Sequence, residues 1–137
     1  MAFHNNNQRC SGTIVEENWI LTARSCLTSS MGVTIYFGMG PGRYSIYVCS
    51  SQLQCVNLQI MPKNECGLDS INERILCTRP VSGMSNCFSD VGNPLVTGVY
   101  PILVGLSLSE CRPGLPAKFA GISSHFNWIR QHTGIYH

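Results

Sequence analysis

Apolar residues of this chain gather in short stretches that are rich in β-branched and aromatic residues. Glycine and proline separate the stretches throughout, as in segments 38–42 and 113–116, which read GMGPG and PGLP. Short segments of this composition bounded by turn residues are typical of strands. The pattern therefore predicts an all-β fold. The candidate strands cover residues 11–15, 19–22, 33–37, 44–48, 54–60, 74–77, 95–97, 102–108 and 117–121.

One helix is predicted, close to the carboxyl end of the chain. Ser123 or Ser124 is a suitable N-cap, and Phe126 and Ile129 follow at helical spacing. Gly134 marks the expected end of the helix. The spacing predicts that Phe126 and Ile129 pack against the body of the protein.

Composition excludes several classes of protein. The 137 residues are 44% apolar and 12% charged, and the net charge is +2. A chain of this length and apolarity buries enough surface to fold as one domain, so intrinsic disorder is excluded. Because the basic residues are scattered, no surface for nucleic acid is expected.

No membrane or export signal is visible, although the cysteine content points to an oxidising compartment. The longest apolar stretches, such as residues 99–106, fall well short of the roughly 20 residues that a membrane helix needs. The first nine residues, MAFHNNNQR, contain neither the basic nor the apolar region of a secretory signal. Eight cysteines nevertheless indicate disulfides. We therefore expect a secreted ancestor whose upstream end is absent from this chain.

A series of segments resembles the trypsin-like serine proteases. Residues 10–26 read CSGTIVEENWILTARSC, similar to the family block that leads through LTA into the catalytic histidine. Residues 87–96 read CFSDVGNPLV, similar to the nucleophile loop with its GDSGGP core. The segments GVTIYFG and NWIRQHTGI resemble most the digestive serine proteases of flies, the Jonah type. Further segments match in order at residues 53–66, 75–77, 114–119 and 125–135.

This resemblance implies a degenerate catalytic triad. The family's acyl transfer needs a hydroxyl nucleophile, an imidazole base and a buried carboxylate. Ser25 stands at the imidazole position, and Val91 stands at the nucleophile position. The strand that would supply the carboxylate is missing between residues 38 and 53. No histidine is expected to replace the base, because all of them lie at the chain ends or on the final helix. They are His4, His125, His132 and His137.

The resemblance also places the oxyanion loop, at Ser89, Asp90 and Gly92. Ser89 replaces a glycine whose conformational freedom the family uses there. Asp90 matches the carboxylate that pairs with a new amino terminus in active members. Since no such terminus is evident in this sequence, a role in turn hydrogen bonding is expected for Asp90.

A specificity pocket is implied as well. Its base would be Ser85, and its walls would carry Ser107, Ser109 and Ala117. These positions provide no acidic floor, so a basic side chain would not be selected. A filled or collapsed pocket is expected.

Six cysteines form three disulfides if the resemblance holds. The remaining two, Cys49 and Cys55, either pair with each other or are both free. No CxxC or HxxxH spacing supports a metal site, so neither a metal nor another cofactor is expected. The implied pairs are Cys10 with Cys26, Cys66 with Cys77, and Cys87 with Cys111.

The implied architecture is one truncated domain, a double β-barrel of the trypsin type with a carboxyl-terminal α-helix. Residues 10–38 would be a remnant of the first barrel. Residues 53–137 would be most of the second barrel and the helix. An incomplete barrel leaves open sheet edges, so the chain is expected to associate with another copy, to reorganise or to be poorly stable.

The favoured function is that of a non-catalytic serine protease homologue that binds or regulates an unknown protein or peptide, and neither nucleic acid nor membrane. By resemblance it would be extracellular. The alternative is a fragment or isoform of a secreted trypsin-like endopeptidase. A third interpretation is a small disulfide-bonded structural or defence protein unrelated to proteases, which predicts other cysteine pairings.

Overall fold

A computed structural model describes residues 2–5, 8–27, 33–36, 56–67, 73–81, 91–98, 101–108 and 114–136. Within these residues the chain consists mostly of short strands, with one α-helix near the carboxyl end. The strands are β1 (Ala2–Asn5), β2 (Gln8–Ser11), β3 (Thr13–Glu16), β4 (Trp19–Leu21), β5 (Thr34–Tyr36), β6 (Ile60–Met61), β7 (Ile75–Thr78), β8 (Pro94–Thr97), β9 (Ile102–Ser107) and β10 (Ala117–Gly121). The helix α1 spans Phe126–Thr133, and 3-10 turns cover Arg24–Leu27, Lys63–Glu65 and Ser123–His125.

The all-β prediction is confirmed, and most predicted strands lie within two residues of observed ones. The candidate at 54–60 is wrong in extent, because residues 56–59 form no strand and β6 begins at Ile60; residues 54 and 55 lie outside the described part. The pattern gave no strand over residues 2–5, where β1 forms. The candidate at 44–48 lies outside the described residues.

Two small antiparallel sheets are built from the first 36 residues. In one of them β1 is the central strand, between β2 and β5, and Phe3 lies opposite both Cys10 and Ile35. In the other, β3 and β4 form a hairpin in which Ile14 lies opposite Ile20. The first sheet therefore fixes Cys10 of β2 opposite Phe3 of β1.

A five-stranded antiparallel sheet is built from the later residues, in the order β6-β7-β10-β9-β8. The central strand is β10, whose Phe119 lies opposite Leu76 of β7 and Ser107 of β9. Burial alternates along β10, with Ala117, Phe119 and Gly121 facing the interior. Among the described strands the sheet is open, and β6 and β8 are its two edges.

The terminal helix differs from its prediction in how it begins. The hydroxyl of Ser124 donates to the carbonyl of Gly121 at 2.8 Å, and no side chain caps α1. The serine cap is therefore wrong, although α1 ends before Gly134 as expected. Ile129 is buried, whereas Phe126 is 37% exposed, so only Ile129 is fully packed. The described part of the chain contains no helix long and apolar enough to cross a bilayer.

Two clusters of buried side chains form the described core. One lies in the later sheet and contains Met61, Cys66 and Cys77. The other joins residues from distant parts of the sequence, because Val91 packs with Cys10, Ala23 and Cys26. This second cluster brings together the two segments on which the family resemblance mainly rests.

Candidate functional site

The first part of the candidate site is the 3-10 turn at Arg24–Leu27, directly after β4. The backbone N–H of Cys26 donates to the carbonyl of Ala23 at 2.9 Å, which closes the turn. Ala23 and Cys26 are buried, whereas Arg24 and Ser25 are exposed between them. The turn therefore presents Ser25 at the surface and anchors it through its buried neighbours.

The second part is Val91, which the fold places against that turn. Val91 is only 7% exposed and packs with Ala23 and with the Cys10–Cys26 disulfide. Its carbonyl accepts the N–H of Ser11 at 2.7 Å and lies 3.9 Å from the sulfur of Cys26. Val91 thus contacts the residue that directly follows Ser25, although 65 positions separate Val91 from Cys26 in sequence.

The turn after Val91 joins the early and late parts of the fold. The N–H of Gly92 donates to the carbonyl of Ser107 at 2.8 Å, and the N–H of Ser107 donates to the carbonyl of Asn93 at 2.9 Å. On the other side, the hydroxyl of Thr13 donates to the carbonyl of Gly92 at 3.5 Å. The turn is therefore held between β9 and the β3–β4 hairpin.

Gly92 is the one oxyanion-loop position among the described residues, and its backbone requires glycine. Its φ is +91°, in the left-handed region that other residues rarely adopt. A Cβ atom built there would overlap the carbonyl oxygen of Ser11 and lie 2.8 Å from the hydroxyl oxygen of Thr22. That hydroxyl already donates to the same Ser11 oxygen at 2.7 Å. The backbone of Gly92 is therefore packed directly against Ser11, the last residue of β2.

Two predicted pocket positions, Ser107 and Ala117, lie on the buried face of the five-stranded sheet. Ser107 is opposite Phe119, and Ala117 is two residues before Phe119 on the same strand, so all three point to one side. Ser107 is 1% exposed and Ala117 is 6% exposed. At these positions the structure shows packed interior and no open surface.

A fourth residue on this face, Thr78, was not singled out by sequence reasoning. It lies opposite Ala117 and is completely buried, and its hydroxyl oxygen has no hydrogen-bond partner among the described residues. The sequence gives only a weak indication that Thr78 is buried here, which is that Thr78 directly follows the disulfide-bonded Cys77. Thr78, Ala117 and Ser107 bring no charge to the interior, so they offer nothing that would select an ionic side chain.

Other predicted positions can be placed only in part. The Cys10–Cys26 and Cys66–Cys77 disulfides implied by the resemblance are both formed. The remaining positions lie outside the described residues. They are Ser85, Ser89, Asp90 and Ser109, together with Cys49, Cys55, Cys87 and Cys111.

The two described histidine rings are engaged within the terminal segment. Nδ1 of His125 donates to the carbonyl of Gly121 at 2.8 Å, and Nδ1 of His132 donates to the carbonyl of Trp128 at 2.8 Å. The ring of His132 also stacks on Trp128, with ring centroids 4.5 Å apart. Across the described residues, no three His, Cys, Asp or Glu side chains gather into a group that would hold a metal.

The burial of Val91 leads to a prediction about stability. Threonine has nearly the shape of valine, so Val91→Thr would place a hydroxyl among the apolar atoms of Ala23 and the disulfide. We expect a loss of about 1–2 kcal/mol in the free energy of unfolding, measured by urea denaturation. Val96→Thr is the matched control, because Val96 is 52% exposed and its change should cost less than about 0.5 kcal/mol. Equal effects would show that Val91 faces an open cleft.

Comparison with known families identifies the class of this protein. The sequence profile of the family described as Trypsin matches in two overlapping segments, residues 1–44 and 32–129. Together these segments include most of the chain. The chain therefore belongs to the trypsin family of serine proteases, and its strand-rich architecture with a terminal helix is that of the trypsin fold. This membership rules out the interpretation of a small defence protein unrelated to proteases.

Individual relatives agree with this assignment. Serine protease 1 and Serine protease 2 of Drosophila melanogaster are each 25% identical over 206 residues, covering 96% of this chain and 78% of the relative. Kallikrein-1 of Mus musculus is 27% identical over 113 residues, covering 78% of this chain and 40% of the relative. The collagenase of Hypoderma lineatum is 36% identical over 69 residues, covering 47% of this chain and 26% of the relative.

The length of the fly match carries further information. It extends over 206 residues, and this chain has 137, so at least 69 residues of the fly protein have no counterpart here. These gaps lie inside the matched stretch. Relative to the fly proteins, this chain therefore lacks internal segments.

Proposed function

We propose that this chain is a non-catalytic homologue of trypsin-like serine proteases that acts outside the cell by binding a protein or peptide. The observation that carries the proposal is the side chain at residue 91. An isopropyl group stands where the family has its nucleophilic hydroxyl, and it is packed against a disulfide at 7% exposure. A hydrocarbon side chain has no oxygen with which to attack an acyl carbon.

The base position supports the same proposal. Ser25 is exposed on the 3-10 turn beside Cys26, where the family block carries its imidazole. A serine hydroxyl does not accept a proton near neutral pH, so it cannot replace that base. Loss of the nucleophile or the base alone costs on the order of a millionfold in turnover, and the losses do not add because these groups act as a unit.

The third group of the triad is its carboxylate, and its loss is part of the proposal. At least 69 residues of the fly relatives have no counterpart in this chain. A loss of this size leaves room for the expected absence of the carboxylate strand between residues 38 and 53. Two disulfides in the described core support an extracellular location, since such bonds persist in oxidising compartments.

Labelling with a fluorophosphonate tests the proposal directly, because this reagent needs an activated serine hydroxyl. We expect no covalent adduct on the full oxidised chain, whereas an active trypsin-family protease labels under the same conditions. Val91→Ser is the matched variant, and it should stay unlabelled because Ser25 cannot take up the proton. Mass spectrometry of intact protein gives the readout.

The double variant Ser25→His with Val91→Ser separates the alternatives further. It restores two groups but not the carboxylate, so labelling should be about 10⁴-fold slower than in an active family member. An adduct on any serine of the unmodified chain would contradict the proposal. That result would favour the alternative, a fragment or isoform of a secreted endopeptidase that keeps its activity.

A further inference from the structure

We draw no further inference here: the strongest candidate, the completely buried hydroxyl of Thr78 on the buried face of the five-stranded sheet, belongs to the candidate site already described, and it lacks a hydrogen-bond partner only among the described residues.

Discussion

Gly92→Ala should destabilise this protein by about 3–5 kcal/mol. Two effects combine at this position. The φ of +91° is unfavourable for any residue with a Cβ, which costs on the order of 1–3 kcal/mol. The added methyl would also overlap the carbonyl oxygen of Ser11 and press on the hydroxyl of Thr22, and overpacking costs about 1–3 kcal/mol more. Because small domains are stable by only about 5–15 kcal/mol, this change removes much of the total.

Chemical denaturation measures this loss, and Gly114→Ala is its control. Gly114 has a similar φ of +80°, but a Cβ there would meet no atom of the described residues within 4 Å. Its substitution therefore carries the backbone cost alone, about 1–2 kcal/mol. If both variants lost the same free energy, the close approach of Gly92 to Ser11 would not contribute to stability.

Removal of the Cys10–Cys26 disulfide is the second change with a large expected effect. Replacing both cysteines with alanine releases a loop of sequence separation 16, which in the chain-entropy model costs about 3 kcal/mol. Both sulfurs are also almost completely buried beside Val91 and Ala23. Their loss leaves unfilled space in that cluster, so we expect a total cost of about 4–5 kcal/mol.

The Cys66–Cys77 disulfide provides the comparison for this experiment. Its sequence separation is 11, so its entropic contribution differs from that of Cys10–Cys26 by only about 0.3 kcal/mol. Because Cys66 and Cys77 are themselves buried beside Met61, a larger loss for the first pair reports tighter packing around Val91 than around Met61. Equal losses in denaturant titrations of the two double-alanine variants would show that the cluster around Val91 adds no more than the cluster around Met61.

The sequence pattern predicted those strands whose own residues, with the turns on either side, are enough to specify a strand. The β8 and β9 strands and β10 were expected almost to the residue, because turn residues bound each of them. β1 was missed because AFHN is an unremarkable strand sequence, and its partners β2 and β5 are what make it a strand. The strand predicted before β6 was too long for the converse reason, since a segment of strand-like composition forms a strand only where a neighbouring strand pairs with it.

The site could be expected from the resemblance but not from pattern alone. Nothing in local sequence brings Val91 to Cys26 across 65 positions, and only the matched family segments implied it. The burial of Thr78 beside Ala117 depends on how β7 pairs with β10. That its hydroxyl has no hydrogen-bond partner among the described residues follows from its place in the fold, so composition and spacing could not predict it.

The place of β10 in the chain bears on how this protein is made. The ribosome delivers residues in order, and β10, at the centre of the five-stranded sheet, follows the other four strands of that sheet in the sequence. β7 and β9 therefore emerge during translation without the strand that separates them. Until β10 has left the ribosome, the nascent polypeptide exposes the unpaired edges of β7 and β9, and a holding chaperone would bind there.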